Sequence, residues 1–411
     1  MNTYIITILT SISVLYSQFS TNNLNGFGND EDVLSTVSES MGQMWMNNSN
    51  ENNWDPLLAS SIFNSDLTRI CVGSSIRSVK SESYKSLDHM FEFINFSFPF
   101  RNNMGISIGL SPSTTTNYIF NEVPSIIGGT EYSSPISSES SHVIEGGISK
   151  LSLALSKAIL NKKTTFAIGL KWNILFGNQE VNSTSRLSQI SYDQQGNQNL
   201  TLIETVYDDT YNHFNAYHYE FDSRVTFNNK NNFSFLISLL DNFKVDNNKV
   251  TQLFSSSNSY LVDKAQLDRL GIGYMYNANN QFGVAVEFHL KNSINYPEEI
   301  LLFRSKSPSR ISFHNGLYKR FNNIKSGSWN SINLSMGYNY KIIKFTNQNL
   351  RDISISLGGG ILFNESKNNL DISFTIGVSE SIVEAISYES YYKLNVAIFS
   401  GDQWFKQRRR K

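Results

Sequence analysis

The sequence predicts an all-β protein, a transmembrane antiparallel β-barrel of about 14 strands behind an irregular N-terminal segment. Three observations lead there. Long stretches alternate strictly between apolar and polar or small residues; the connections between them sort by parity into short and long; and no later stretch holds the roughly 18 consecutive apolar residues of a membrane helix. Only a closed barrel then satisfies the backbone inside a bilayer.

Composition points the same way. Charged residues make up 17% of the 411, below the roughly 25% of an average soluble domain, while Tyr 20 and Phe 28 enrich the chain in aromatics. Mean hydropathy is nevertheless -0.29. A chain that is polar on average yet aromatic suits alternating strands. Lys+Arg 34 balance Asp+Glu 35 for a net charge of -1, so no global field recruits nucleic acid or an acidic substrate. The terminal "KQRRRK" reads as a solvated tail or a contact with acidic headgroups. Cys71 is the one cysteine, which excludes an intrachain disulfide and a CxxC metal site.

The elements follow in order. The apolar run Tyr4 to Tyr16, ending at Ser17-Gln18, has the length of a signal-peptide core, so residues 1–17 read as a secretory signal. Residues 18–66 are rich in Asn, Ser and Gly and lack sustained alternation. Residues 67–411 form the barrel. Strands are expected near 67–79, 88–100, 103–112, 143–157, 163–177, 211–228, 232–241, 265–278, 280–292, 308–321, 331–344, 350–362, 367–379 and 389–400. In "QFGVAVEFHLK", for example, Phe282, Val284, Val286, Phe288 and Leu290 share one face while Gly283, Ala285, Glu287, His289 and Lys291 share the other.

Connections after the second, fourth, sixth, eighth and twelfth strands are short: "RNN", "LNKKT", "NNKNN", "NANN" and "NESKNN". Those after the third, fifth, seventh and ninth are long. Outer-membrane barrels show this asymmetry between periplasmic turns and extracellular loops, which puts both termini in the periplasm of a Gram-negative cell. The apolar face of each strand then meets outer-membrane lipid, and the polar face lines a wet lumen.

That polar register supplies the candidate ligand-binding or lumen residues: His218, Glu220, Asp222 and Arg224 in "HYEFDSR", Glu287, His289 and Lys291, His314 with Arg310, and Lys341 with Lys171. Ionisable groups at bilayer height must face water or pair with one another. No catalytic residue is expected. "GISIG" at 105–109 imitates a nucleophile elbow around Ser107, but its neighbours continue a strand instead of turning into a helix. "SLGGGIL" lacks the Lys-Ser/Thr of a phosphate loop, and the six histidines contain no HExxH, so neither a cofactor nor a metal site is expected.

At several short motifs the chain resembles the Bacteroidota outer-membrane barrels related to the FadL-type channels for long-chain fatty acids and other hydrophobic compounds. "FGND" is similar to the family's opening Phe-Gly-x-Gly-Asp, "SMGQMW" to its Met-Gly-Gly turn, "WDPLLASSIF" to its Asn-Pro-Ala-Ser segment, "GLSPSTTTNY" to its Gly-Leu-x-Pro-x-Ser segment, and "WFKQRRRK" to its C-terminus. Gln43 replaces the second glycine of Met-Gly-Gly, and Asp55-Pro56-Leu57 replaces Asn-Pro-Ala. The resemblance implies a fourteen-stranded barrel whose N-terminal segment folds into the lumen as a hatch, with Met41, Gly42, Trp54, Asp55 and Pro56 as hatch residues and a ligand that leaves through the wall.

The function this implies is passive uptake of small, fatty-acid-like hydrophobic compounds, captured by Tyr118, Ile119, Phe120, Ile126 and Ile127 on an outer loop. An accessory or shuttle barrel of the type IX protein secretion machinery, with secretion proteins as partners, or a structural barrel without transport, are the alternatives. A lipid hydrolase would need an acid-base-nucleophile set that the sequence does not supply.

Overall fold

A computed structural model describes residues 29–30, 33–47, 55–64 and 67–402, with gaps at 82–84, 122–124, 128–134, 162, 193–194, 196–197, 253, 280, 295–307, 323–328, 346–348, 364–366 and 382–387. The expected signal peptide at 1–17 and Trp54 fall outside these residues, as does the basic tail.

Fourteen antiparallel strands form a closed barrel: β1 (Thr68–Ser81), β2 (Lys85–Phe100), β3 (Met104–Asn121), β4 (Ile136–Leu160), β5 (Thr164–Tyr192), β6 (Gln198–Phe227), β7 (Asn231–Thr251), β8 (Gln266–Asn279), β9 (Phe282–Lys291), β10 (Ser309–Asn322), β11 (Trp329–Lys344), β12 (Asn349–Phe363), β13 (Asn368–Ser381) and β14 (Tyr388–Asp402). Each pairs with the next, and β14 closes on β1 from Glu389↔Ser81 to Asp402↔Thr68. The expected strand number stands.

Alternation sets which way each strand faces. In β9, Phe282, Val284, Val286, Phe288 and Leu290 are 37–40% exposed, whereas Glu287 is 1% and His289 3% exposed. Outside faces therefore carry the apolar residues and the lumen carries the charges, the reverse of a soluble core. On β5 the outward row Phe166, Leu170, Trp172 and Phe176 has the length of roughly 9–11 residues that a tilted strand needs to cross hydrocarbon. At its lower end, Phe227, Phe233 and Tyr274 pack together with ring centroids 6.1 and 5.0 Å apart, an aromatic belt of the kind found at membrane interfaces.

Four strands run well past that row, and here the expected loops need correction. Strands β4 to β7 are 25, 29, 30 and 21 residues long. Residues 178–210, expected as a loop, are instead paired from Asn178↔His213 to Tyr192↔Gln198. Of the stretch 113–142, residues 114–121, 125–127 and 136–142 are likewise paired, as Asn121↔Ser141 illustrates, and Ser255–Val262 folds back on β7. Apart from a few buried residues such as Ile144, Val181 and Ile190, this upper sheet is polar on its outward side as well, so its sequence loses the apolar register while its backbone ladder persists. Tyr118, Ile119 and Phe120 lie in β3, and Ile126 and Ile127 pair with Ser137 and Ile136; Ile119 and Ile126 are 50% and 67% exposed.

Candidate functional site: the lumen and its two cavities

The lumen is occupied by residues 33–47 and 55–64. Ser35 caps a single-turn helix, α1 (Thr36–Ser40), its hydroxyl accepting from the Ser38 amide. The Asp55 carboxylate ties the two stretches together, accepting from the hydroxyls of Ser35 (2.6 Å) and Ser38 (3.0 Å) and from the Leu57 amide (2.8 Å). Pro56 follows, and a 3-10 turn (Ala59–Asn64) completes the segment. Gly42 has a φ of +83°, and a Cβ there would stand 2.6 Å from the Asn315 carbonyl. Opposite it, Gly316 and Gly337 are register partners. Side chains on either would collide with the Met41–Gly42 backbone, so the wall is notched where the turn sits. Gln43, at φ 62°, takes the left-handed backbone despite its side chain, and its amide oxygen accepts from Asn339 and Lys341.

Most of the expected lumen residues hold this segment. Glu287 is the densest contact. Its carboxylate accepts from the amides of Trp45 (2.7 Å), Met46 (2.9 Å) and Asn47 (2.6 Å), from the Asn47 side chain (3.0 Å) and from His289 (2.9 Å). That many donors offset the desolvation of a carboxyl group that is fully buried. Arg224 donates to the Met46 carbonyl (2.7 Å), Asp222 accepts from the Ser60 amide (2.8 Å), Lys171 donates to the Leu57 carbonyl (2.6 Å), and His314 Nδ1 donates to the Gly42 carbonyl (2.9 Å). Lys393, which no sequence pattern singled out, bridges Glu39 of α1 at 2.8 Å and Glu92 at 3.0 Å.

His218, Glu220 and Lys291 instead line an open cavity above the segment. Its apolar side is Ile148, Leu175, Leu240, Phe243 and Ile294; its polar side is His218, Glu220, Asp268, Arg269, Lys291 and Lys150; Trp45 forms the floor. Including its mouth, the space is about 770 Å³. His218 stands between two carboxylates, 3.4 Å from Glu220 and 3.2 Å from Asp268, and Glu220 also meets Lys171 at 3.2 Å. Among the described residues the Lys150 ammonium makes no direct hydrogen bond or ion pair. The lining thus sets the basic side chains of Lys150, Arg269, Lys291 and His218 against the carboxylates Glu220 and Asp268, beside an apolar wall.

Asp268 and Arg269 escaped sequence reasoning because they are consecutive. The β8–β7 register shifts between Leu267 and Arg269, and this bulge turns two neighbouring residues inward, which period-2 counting forbids.

A second cavity lies deeper. It shares Trp45, Lys150, Glu220 and Leu236 with the first and extends along Val33, Leu34 and Leu57 to Ile94, Asn95, Gly109, Leu110 and Ser111. Those last residues mark a break in the wall. β2 pairs with β3 only from Phe100↔Met104 up to Ile94↔Leu110. Beyond that rung β3 carries Pro112, which has no N–H to give, and its register with β4 shifts between Pro112 and Thr114. β4 answers with Gly146 and Gly147 at φ +120° and +150°. Leu110, 37% exposed, also lines the cavity, which therefore runs up to this seam; above it, Thr114 and Thr115 of β3 pair with Asp30 and Asn29 of the N-terminal segment.

A family model described as BamG matches residues 1–411. The chain belongs to the BamG family. No protein of curated function matches it. Among solved structures, the BamG-family chain is similar to a FadL homologue of Pseudomonas aeruginosa (8% identity, 91% of this chain and 99% of that one, TM-score 0.56). It is also similar to the toluene transporter TbuX of Ralstonia pickettii (11%, 93% and 100%, TM-score 0.52) and to the monoaromatic hydrocarbon channel CymD (11%, 91% and 98%, TM-score 0.52). At such identities the likeness is one of fold. This BamG-family protein is a closed fourteen-stranded barrel with an apolar outer face, alike in fold to those structures.

Proposed function

We propose that the protein passively admits amphiphilic, fatty-acid-like hydrophobic compounds across the outer membrane. The ligand lodges in the upper cavity, its tail on Leu240, Phe243 and Ile294 and its acidic head near Lys150, passes the hatch formed by the segment 18–66, and leaves sideways between β2 and β3. No covalent step is involved, since the compound moves down its gradient. The observation that carries this reading is the adjacency of the two cavities, which share Trp45, Lys150, Glu220 and Leu236, with the lower one running to the last β2–β3 rung. Both termini lie in the periplasm on this reading, with the upper sheet outside the cell.

Reconstituted protein tests it. Proteoliposomes are expected to take up a fluorophore-labelled long-chain carboxylate faster than protein-free vesicles, and Lys150→Glu is expected to slow that uptake while leaving a neutral aromatic probe less affected. Equal rates with and without protein overturn the proposal.

One further observation favours the accessory role as a second reading: the upper sheet carries exposed Leu200, Leu202, Ile203 and Tyr207 at its tip, a surface suited to a protein partner. Co-purification of the tagged barrel at native expression, with and without residues 183–206, distinguishes the two. Loss of a partner with uptake intact supports the accessory role; no partner in either sample removes it.

A further inference from the structure

We infer that the Trp45 indole is the movable partition between the two cavities, positioned by Arg269. This rests on the uptake reading and adds a residue to it. Trp45 lines both voids, and of residues 33–47 it alone is not buried. Its backbone, by contrast, is pinned. The amides of Trp45, Met46 and Asn47 all donate to Glu287, and Arg224 holds the Met46 carbonyl. Motion at this point therefore belongs to the side chain, which swings into space on either side while the loop stays in place.

Arg269 sets the resting position. Its guanidinium carbon lies 3.6 Å from the centroid of the indole ring, close cation–π contact in a partly desolvated site. His289 flanks the indole at 6.2 Å. The same guanidinium lines the upper cavity with Lys150 and Lys291. An acidic head group drawn to those cations competes with the indole for Arg269, so arrival of the ligand loosens the partition it must pass. Entry and passage are coupled through one residue, with no movement of the hatch backbone.

The test uses Ser111→Cys as a reporter in the lower cavity, in a Cys71→Ala background in proteoliposomes, where lipid covers the β2–β3 seam and a water-soluble maleimide arrives through the upper cavity. Heat-modifiable gel migration checks that each barrel is folded. Trp45→Ala is expected to raise the labelling rate about tenfold, Arg269→Gln to raise it by a smaller factor, and Trp45→Phe to restore a rate near that of the parent. Carboxylate uptake by the same proteins is measured in parallel. Unchanged labelling in folded Trp45→Ala overturns the partition whether or not uptake occurs. Raised labelling with no carboxylate uptake by any variant keeps the partition and removes the uptake reading.

Discussion

Replacing Glu287 by Gln isolates the contact that holds residues 45–47 to the wall. One carboxylate oxygen accepts the amides of Met46 and Asn47 and the Asn47 side chain; the other accepts the Trp45 amide and His289. The glutamine keeps the first oxygen in place and turns an NH₂ towards Trp45 and His289, which removes two charge-assisted bonds. Only the Trp45 bond breaks when the loop opens, since His289 stands on the same strand as Glu287, so at about 1.5–3 kcal/mol opening becomes easier by roughly 10- to 10²-fold in its equilibrium. Hydrogen exchange of detergent-solubilised protein reads that equilibrium directly at the amides of residues 45–47, while the strand amides of β9 and β10 serve as the internal standard. Exchange at 45–47 within about threefold of the parent, in a folded barrel, would refute the claim that Glu287 anchors the segment.

Three more outcomes follow from the same geometry. Gly337→Ala places a Cβ about where the Gly42 amide now lies, so it is expected to push the Met41–Gly42 turn out of its notch and expose residues 33–47 to limited proteolysis while the barrel keeps its gel mobility. Lys393→Met breaks the links to Glu39 and Glu92 and leaves two buried carboxylates without their cation; a loss of about 3–5 kcal/mol is expected, read as a lowered barrel-unfolding midpoint in urea. Ser111→Trp fills the lower cavity beside the last β2–β3 rung. It is expected to abolish carboxylate uptake yet leave equilibrium binding of the same probe in the upper cavity within about twofold.

How much of this was legible in the sequence depends on what each face touches. Strand number, and the direction in which Glu287 and His289 point, could be read because lipid on one side and polar surroundings on the other impose a period of two. The partner of those groups could not. An inward Glu or Arg has the same sequence signature whether it meets water or another segment of chain, so Asp222, Arg224, Glu287 and His314 read as a wet wall when their contacts are with residues 42–60. Residues 183–191, "STSRLSQIS", gave no strand signal because neither face of the upper sheet meets lipid. Lys150 sits in a readable strand, but nothing in "GGISKLSLALSK" separates a cavity lysine from the inward serines beside it. The β8 bulge concealed Arg269 for the reason already given, and with it the contact to Trp45.

The most direct measurement of the central claim is photo-crosslinking in proteoliposomes with a diazirine-bearing long-chain carboxylate, followed by mapping of the adducts. Passage from the upper cavity through the parted wall predicts adducts at Phe243 and Ile294, and also at Ile94 and Leu110, with the second pair lost in Ser111→Trp. Adducts spread evenly over lipid-facing strands, with none on Phe243 or Ile294, would contradict it.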